Sequence, residues 1–358
     1  MNDIILYLMA FGALIGGLDH IFGNRFGFGA RFEEAFRLLG SIALSMAGII
    51  CLAPLLSELL GKVVVPLFSA IGFDPGMFGS ILAIDMGGYQ MAMDLSADPA
   101  IGRFAGIIVS AIFGCTIVFT IPVGLGAMGE EDRPYFTKGI LLGLVSMPAG
   151  IVAGGLVCGL SLGSILWHSL PILLISALLF LGLVKKPAAM TRAFQVFAKG
   201  IQSLAIFGLM VGAIQYMTGR ELLCGLIPLT EAMEVVCSIA IVMLGSMPMA
   251  ELIQRLLKAP FARIGRHTGL NSASTTGILI GMVSVMPALA MIPRMDKRGK
   301  VMNGTFAVCG ASAFAAHLGF TLSTEPDMAA ALLTAKLLGG FLGAAITLAA
   351  TKDEQNPA

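Results

Sequence analysis

An aspartate in the middle of an uncharged apolar run has the clearest chemistry in this chain. Asp85 lies within residues 75–93, with Gly87 and Gly88 just after it and Tyr89 one helical turn further along. A carboxylate at bilayer depth costs about 2.5–3.5 kcal/mol, so it persists where it faces a cavity, a partner or a passing substrate. A carboxylate beside an aromatic face suits a small ammonium group, and the glycines free backbone carbonyls nearby. These residues therefore predict a cation-transport site.

Three more polar residues fall in long apolar runs: Asn303, His317 and Lys336. Asn303, Gly310 and His317 recur every seven residues, which would place them within about 20° of one another on one helix. We predict that all three polar residues contribute to the site. Two alternatives stay open, because Asp85 and Lys336 could form a structural ion pair and a buried histidine often only joins two helices.

An intramembrane serine hydrolase is the rival function that these residues raise. Ser312 and His317 are five residues apart, which is about 140° around a continuous helix, so their side chains would point away from each other. The chain contains no HExxH or CxxC metal pattern and no GxxxxGK[ST] nucleotide loop. We therefore expect neither an enzyme nor a bound metal or cofactor.

The composition is that of a protein solvated by lipid. Hydrophobic residues make up 57% of the chain and charged residues 12%, with a mean hydropathy of +0.92, against roughly 25% charged residues in soluble domains. The formal net charge of +1 lacks the basic excess with which nucleic-acid binders neutralise phosphates. The chain is thus predicted to be an integral membrane protein with no nucleic-acid partner.

Apolar runs of about the length that crosses the hydrocarbon core as a helix predict an all-α polytopic protein of about eleven transmembrane helices. They are residues 3–21, 37–60, 75–93, 103–128, 136–160, 163–184, 194–217, 234–250, 274–293, 301–322 and 328–350. Two shorter apolar pieces, 63–73 and 222–229, each carry a proline and are predicted to be re-entrant or interfacial.

A weak internal repeat divides the chain into two halves. Ile121-Pro122 matches Met286-Pro287, and in nearly the same register the break at residues 85–88 matches one at residues 245–248. Five spans per unit would invert the second unit, the plan of many secondary transporters. We predict a single transmembrane domain over 1–358, with an N-terminal span (1–30), a first repeat (31–190) and a second repeat (191–358).

Basic residues do not orient this eleven-span arrangement. Lysine and arginine gather in residues 25–37, 185–199, 255–266 and 294–300. The positive-inside rule would place all four stretches in the cytoplasm. A chain of eleven spans cannot place all four stretches on one side, and the numbers of lysine and arginine residues on the two sides are nearly equal.

Several ordered motifs resemble those of the EutH family of ethanolamine-utilisation membrane proteins over nearly the whole chain. They are Asp85-Met86-Gly87-Gly88, Thr116-Ile117-Val118-Phe119 with Ile121-Pro122, Met295-Asp296 with Arg298-Gly299-Lys300-Val301 and Asn303, His317-Leu318-Gly319-Phe320, and Lys336-Leu337 with Gly339-Gly340. Among the predicted site residues, Asp85, Asn303, His317 and Lys336 fall on these motifs, whereas Tyr89 does not clearly do so.

The resemblance implies a multi-pass protein of the bacterial cytoplasmic membrane that carries ethanolamine as a secondary carrier or facilitator. The substrate, mostly a cation at neutral pH, agrees with the carboxylate and aromatic pair. Asn303 or a freed carbonyl would take its hydroxyl. A carrier of another small amine or amino alcohol is the alternative, and a structural membrane protein is a third class. Oligomeric state and coupling to H⁺ or Na⁺ stay open.

Overall fold

The computed structural model describes residues 2–81 and 88–351, and every regular element in that part of the chain is helical. Within these described residues, eight helices are long and apolar enough to cross a membrane: Asp3–Ile21, Phe28–Ile71, Pro99–Ala127, Arg133–Val157, Leu162–Lys185, Pro187–Thr218, Leu229–Thr268 and Pro326–Ala350. The prediction of an all-α polytopic protein is therefore confirmed. The count of eleven spans is not.

In chain order the α-helices are α1 (Asn2–Ile21), α2 (Phe28–Arg37), α3 (Leu39–Ile71), α4 (Gly76–Gly79), α5 (Tyr89–Leu95), α6 (Pro99–Arg103), α7 (Ile121–Ala127), α8 (Arg133–Val157), α9 (Leu162–Lys185), α10 (Pro187–Thr218), α11 (Leu229–Thr268), α12 (Ser272–Gly281), α13 (Val285–Met291), α14 (Lys297–Cys309), α15 (Ala316–Thr324) and α16 (Ala329–Ala350). Two π-helices, Phe104–Gly114 and Thr116–Thr120, join α6 to α7, and 3₁₀ turns cover Ile292–Arg294 and Pro326–Met328.

The predicted span at residues 75–93 belongs to a segment whose two ends meet. The Asp74 carboxylate accepts hydrogen bonds from the backbone N–H groups of Gly76 (2.7 Å), Ala97 (3.1 Å) and Asp98 (3.0 Å). The Ser96 hydroxyl donates to the same carboxylate at 2.8 Å. The described parts of this segment, residues 74–81 and 88–98, are called the first hairpin, and its two ends thus lie at the same end of the molecule.

The predicted span at residues 274–293 is a second segment of this kind. The backbone N–H of Asn271 donates to Asp296 Oδ1 at 2.9 Å, and the Asn271 side chain donates to the carbonyl of Arg294 at 3.0 Å. The Ser274 hydroxyl also donates to Asp296 Oδ1, at 2.5 Å. Residues 271–296 are the second hairpin, and one carboxylate holds its two ends together.

The helix expected at residues 301–322 is interrupted. α14 ends at Cys309, turns occupy 310–315, and α15 starts at Ala316. The expected single stripe of Asn303, Gly310 and His317 is therefore wrong. The unwound stretch bonds to the tip of the second hairpin: the N–H of Ser312 donates to the Gly281 carbonyl at 2.9 Å, and that of Phe314 to the Met282 carbonyl at 3.0 Å.

Two predicted interruptions are continuous helix. α3 runs through residues 63–71 with Pro66 inside it, and α11 runs through residues 245–248 with Pro248 inside it. Membrane helices tolerate proline because neighbouring groups satisfy the freed carbonyls. A proline in an apolar run is therefore a poor marker of helix ends here. Residues 222–228 form an irregular loop, in which the N–H of Ile227 donates to the Cys51 carbonyl at 3.0 Å.

Glycines allow the long helices to approach closely. A Cβ at Gly48 of α3 would collide with the carbonyl oxygen of Ala205 in α10, and one at Gly245 of α11 would collide with the carbonyl of Met9 in α1. In α8, Gly139 lies against α14 and Gly150 against α16. Close backbone approach is the usual basis of helix association in lipid.

We expect Gly48→Val to destabilise the protein by about 1–3 kcal/mol, because α3 and α10 would have to separate to admit the side chain. Thermal unfolding in detergent measures the effect. Gly40→Val is the matched control, since no atom lies within 4 Å of the position where its Cβ would stand. Equal unfolding temperatures for the two variants would contradict the tight seam.

Candidate functional site

A cavity of about 220 Å³ lies where the second hairpin tip and the α14–α15 interruption meet α2, α3, α11 and the junction between the π-helices. It extends inward from the start of α3. Its lining residues are Glu34, Leu38, Ser41, Ile42, Ser45, Cys115, Phe119, Met243, Met247, Val283, Ser284, Val285, Met286, Ser312, Ala315, Ala316 and His317. The volume accommodates a small polar molecule together with ordered water.

His317 is the ionisable side chain at the inner part of this cavity. It is the second residue of α15 and only 2% exposed. Its Nδ1 atom is buried, and within the described chain it has no hydrogen-bond partner. An unsatisfied buried polar group costs about 1–3 kcal/mol, so a ligand or water that bonds Nδ1 would recover that energy.

Two serines join His317 from the interrupted backbone. Ser284 immediately precedes α13, and Ser312 lies in the turn between α14 and α15. Ser312 has a φ of 54°, a left-handed conformation that is uncommon for a residue other than glycine. Such strain concentrates at functional sites, where the surrounding structure maintains it.

Helix ends set part of the electrostatic field of this cavity. α12 and α14 end beside it, and their C-termini carry partial negative charge that favours a cation. α15 begins beside it at Ala316, and its partially positive N-terminus favours an oxygen acceptor. α13 also begins at the cavity, at Val285, so helix ends of both polarities meet there.

The predicted residue Lys336 does not line this cavity. It is 1% exposed, and its Nζ donates to the carbonyl of Ala111, in the first π-helix, at 2.8 Å. A π-helix does not use its carbonyls in the ordinary α-helical pattern, and the ammonium satisfies one of them. Asp85, the alternative ion-pair partner of Lys336, lies outside the described residues, and so does Gly87 in the predicted break that follows it.

Asn303 is likewise engaged with backbone. Its side-chain nitrogen donates to the carbonyls of Ser274 and Gly299, both at 2.9 Å, so the amide ties α12 to α14. It is 7% exposed and does not line the His317 cavity. The structure therefore does not bring Asn303 and His317 together.

Tyr89 belongs to a separate cluster. Its hydroxyl donates to Glu325 Oε1 at 2.5 Å, and its ring lies edge-on to Phe320 with centroids 5.7 Å apart. Arg103 contacts Glu325 at 2.9 Å and also pairs with Asp327. Gly88 is buried directly before α5. Neither Tyr89 nor Gly88 lines the His317 cavity.

Sequence reasoning missed every residue of this cavity except His317, among them its serines, Glu34, Cys115 and Phe119. The argument that Ser312 and His317 point away from each other assumed a continuous helix, and the interruption at 310–315 removes that assumption. Both residues line one cavity, yet Nδ1 of His317 makes no hydrogen bond to Ser312. In the described part of the chain, no group of three His, Cys, Asp or Glu side chains could hold a metal ion.

Comparison with known proteins identifies the family of this chain. A family model described as "Ethanolamine utilisation protein, EutH" matches residues 1–351. The chain belongs to the EutH family. It is a multi-pass membrane protein, as its eight candidate spans also indicate. No solved structure matches the chain.

Two curated EutH relatives cover almost the full length. One from Listeria monocytogenes, named "Probable ethanolamine permease EutH", is 41% identical over 97% of this chain and 93% of its own. A relative of the same name from Salmonella typhimurium is 36% identical over 99% of this chain and 97% of its own. A further relative, "Uncharacterized protein YxeR" from Bacillus subtilis, is 40% identical over 96% of this chain and 94% of its own.

Proposed function

We propose that this EutH chain carries ethanolamine across the cytoplasmic membrane of a bacterium, as a secondary carrier or facilitator. The proposal rests on the His317 cavity, which lies where the tip of the second hairpin meets the interruption between α14 and α15. Many secondary transporters bind substrate where their helices are interrupted. Permease relatives of nearly equal length support the choice of substrate. The alternative is a carrier of a different small amine or amino alcohol.

In this proposal the two ends of ethanolamine meet different groups. Asp85 neutralises the ammonium, as its position in an uncharged apolar run suggests. His317 Nδ1 and the Ser312 hydroxyl take the substrate hydroxyl, because Asn303 already donates to two carbonyls. Lys336 is the internal counter-charge when the site is empty.

An inverted repeat is part of the proposal, in a register different from the one that pairs Pro122 with Pro287. The new register pairs α3 with α11, because Pro54 and Pro66 inside α3 have the same spacing as Pro248 and Pro260 inside α11. It also pairs α1 with α10, and the two helices make matching glycine contacts. A glycine of α1 contacts the Gly245 carbonyl of α11, just as a glycine of α10 contacts the Gly48 carbonyl of α3.

Each unit in this register has the same order of elements: two long helices, a hairpin, an irregular helix and a last long helix. The units are α1–α8 and α10–α16, and α9 connects them. Each unit crosses the membrane four times, and α9 crosses it once. Five crossings therefore precede α10, so the second unit enters the membrane from the opposite side. Such inverted pairs place the substrate between them near the midplane.

The hairpins also give a consistent orientation. The eight candidate spans plus the interrupted α14–α15 make nine crossings of the described chain, and this gathers all four basic stretches at one end. At this end Arg31 of the first stretch pairs with Glu251, just before the third, at 3.0 Å, and Lys300 of the fourth pairs with Asp132 of the α7–α8 turn at 2.5 Å. The positive-inside rule assigns this basic end to the cytoplasm.

The cavity then opens towards the cytoplasm, because Glu34 and Ser41 at its mouth lie at the basic end. The opposite end is closed by the Arg103–Glu325–Asp327–Tyr89 cluster, the outer gate. It links the first hairpin and α6 of one unit to the turn after α15 of the other. Opening this gate would expose the substrate site to the outside.

The central test is uptake of labelled ethanolamine into proteoliposomes under a negative-inside potential, at a pH where the substrate is protonated. At about 100 mV a unit charge is worth about 2.3 kcal/mol, so cation uniport concentrates ethanolamine roughly 50-fold, and Asp85→Asn abolishes accumulation. Equilibration without accumulation, indifferent to Asp85, would instead mean passage of the neutral amine. Competition by choline and other amines separates the alternative substrates, and no saturable uptake would exclude a carrier.

His317→Ala should raise the half-saturating ethanolamine concentration between about 2-fold and about 13-fold, since one hydrogen bond contributes about 0.5–1.5 kcal/mol. Ser176→Ala is the matched control: its hydroxyl is also buried and unpartnered in the described chain, but lies outside the cavity. Equal kinetics of the two variants would remove His317 from the site.

Orientation is tested in intact cells by a membrane-impermeant maleimide, with Cys115, Cys158, Cys224 and Cys237 replaced by serine. Arg220→Cys should be labelled from outside, whereas Asn24→Cys, at the basic end, should react only after permeabilisation. Ser45→Cys in the cavity should behave like Asn24→Cys and be protected by ethanolamine. Labelling of Asn24→Cys in sealed cells would reverse the orientation.

Arg103→Gln should weaken the outer gate by about 1 kcal/mol, the upper range for a partly exposed pair. The outward-open population would rise roughly 5-fold, measured as external maleimide labelling of Phe320→Cys. Arg37→Gln, which breaks a surface pair with Glu33, is the control. Unchanged labelling in Arg103→Gln would reject the gate.

A further inference from the structure

A wide groove opens on the outer surface of the helices at the basic end. It has a volume of about 830 Å³ and lies between the α7–α8 turn and the α9–α10 turn. This interfacial groove shares no lining residue with the His317 cavity. The transport proposal therefore gives it no role.

The charges in the groove are mainly positive. Arg133, Lys138 and Arg192 line it, against one carboxylate, Glu130. Among the described residues, the Arg133 side chain bonds only to the Met128 carbonyl, at 3.3 Å, and no ion pair involves Arg192. Two guanidinium groups are therefore available to one anion, and a guanidinium matches a phosphate with paired N–H donors.

Apolar side chains form much of the remaining wall, beside Thr137, Thr191 and Gln195. Val184 is 55% exposed and Leu141 is half-buried, so these two residues offer apolar surface in the groove, whereas Leu125 and Leu183 are buried. A soluble anion such as free phosphate would bond the arginines but leave this surface uncovered. A molecule with a phosphate and acyl chains covers both parts.

We propose that the interfacial groove binds one anionic glycerophospholipid of the cytoplasmic leaflet. Its phosphate lies between Arg133 and Arg192, and its acyl chains cover Leu141 and Val184. The placement uses the orientation given above, since basic sites between helices at the cytoplasmic surface recognise anionic headgroups. The lipid would lie beside α9, the helix that connects the two units.

Native mass spectrometry of the full chain, purified in detergent and mixed with equal amounts of phosphatidylglycerol and phosphatidylcholine, tests the proposal. The native protein should retain phosphatidylglycerol preferentially. The double variant Arg133→Gln/Arg192→Gln should lower this preference on the order of 30-fold, from two charges near the headgroup. Arg263→Gln, an exposed arginine of α11 outside the groove, should leave it unchanged.

Equal retention of both lipids by the native protein, or undiminished retention by the double variant, would overturn the site. Unfolding temperature checks that the variants fold. If the double variant is unstable, the native protein is tested alone at rising salt concentration. Its retention of phosphatidylglycerol should fall, because salt screens the charges that hold the lipid. Uptake into phosphatidylcholine liposomes is measured separately, so loss of the lipid site and loss of ethanolamine transport are distinguishable.

Discussion

Backbone hydrogen bonding inside the hydrocarbon core is the constraint on which this structure depends. An unpaired backbone group in lipid costs several kcal/mol, so an unwound segment must find partners within the protein. The turn at 310–315 finds them at the tip of the second hairpin, where Ser312 and Phe314 donate to the carbonyls of Gly281 and Met282. Because the two interruptions satisfy each other, they must meet, and the cavity forms where they do.

The same constraint explains why several polar side chains do not face the cavity. Lys336 donates to Ala111, and the Thr116 hydroxyl bonds the carbonyls of Ile112 and Val308, so both serve the distorted π-helical region. The Asn303 amide similarly serves two carbonyls near the base of the second hairpin. His317 differs, because its Nδ1 remains unpartnered in the described chain. A polar residue at bilayer depth can therefore support irregular backbone without touching substrate.

Carboxylates at the hairpin bases complete this arrangement. Asp74 and Asp296 each gather backbone and hydroxyl donors from both ends of one hairpin. These bonds hold the two ends of each hairpin together. Close approach at Gly48 then brings α3 against α10, and close approach at Gly245 brings α11 against α1. Rigid seams and a polar centre together suit a protein that changes shape around a small bound molecule.

Local properties of the sequence determined the class of this protein. Hydropathy and run length correctly placed α1 and the other long helices, because both depend on neighbours along the chain. The motifs around His317 and Lys336 correctly indicated the EutH family. The apolar residues around His317 also predicted that its side chain is buried, which the structure confirms.

Tertiary structure alone decided which apolar runs cross. One apolar run of membrane-spanning length is compatible with a span or a hairpin. The choice rests on hydrogen bonds that the Asp98 and Asn271 N–H groups donate to Asp74 and Asp296, which local patterns do not contain. Only the folded chain brings Ser284 and Ser312 beside His317, since side chains distant in sequence meet through packing and not through helical period.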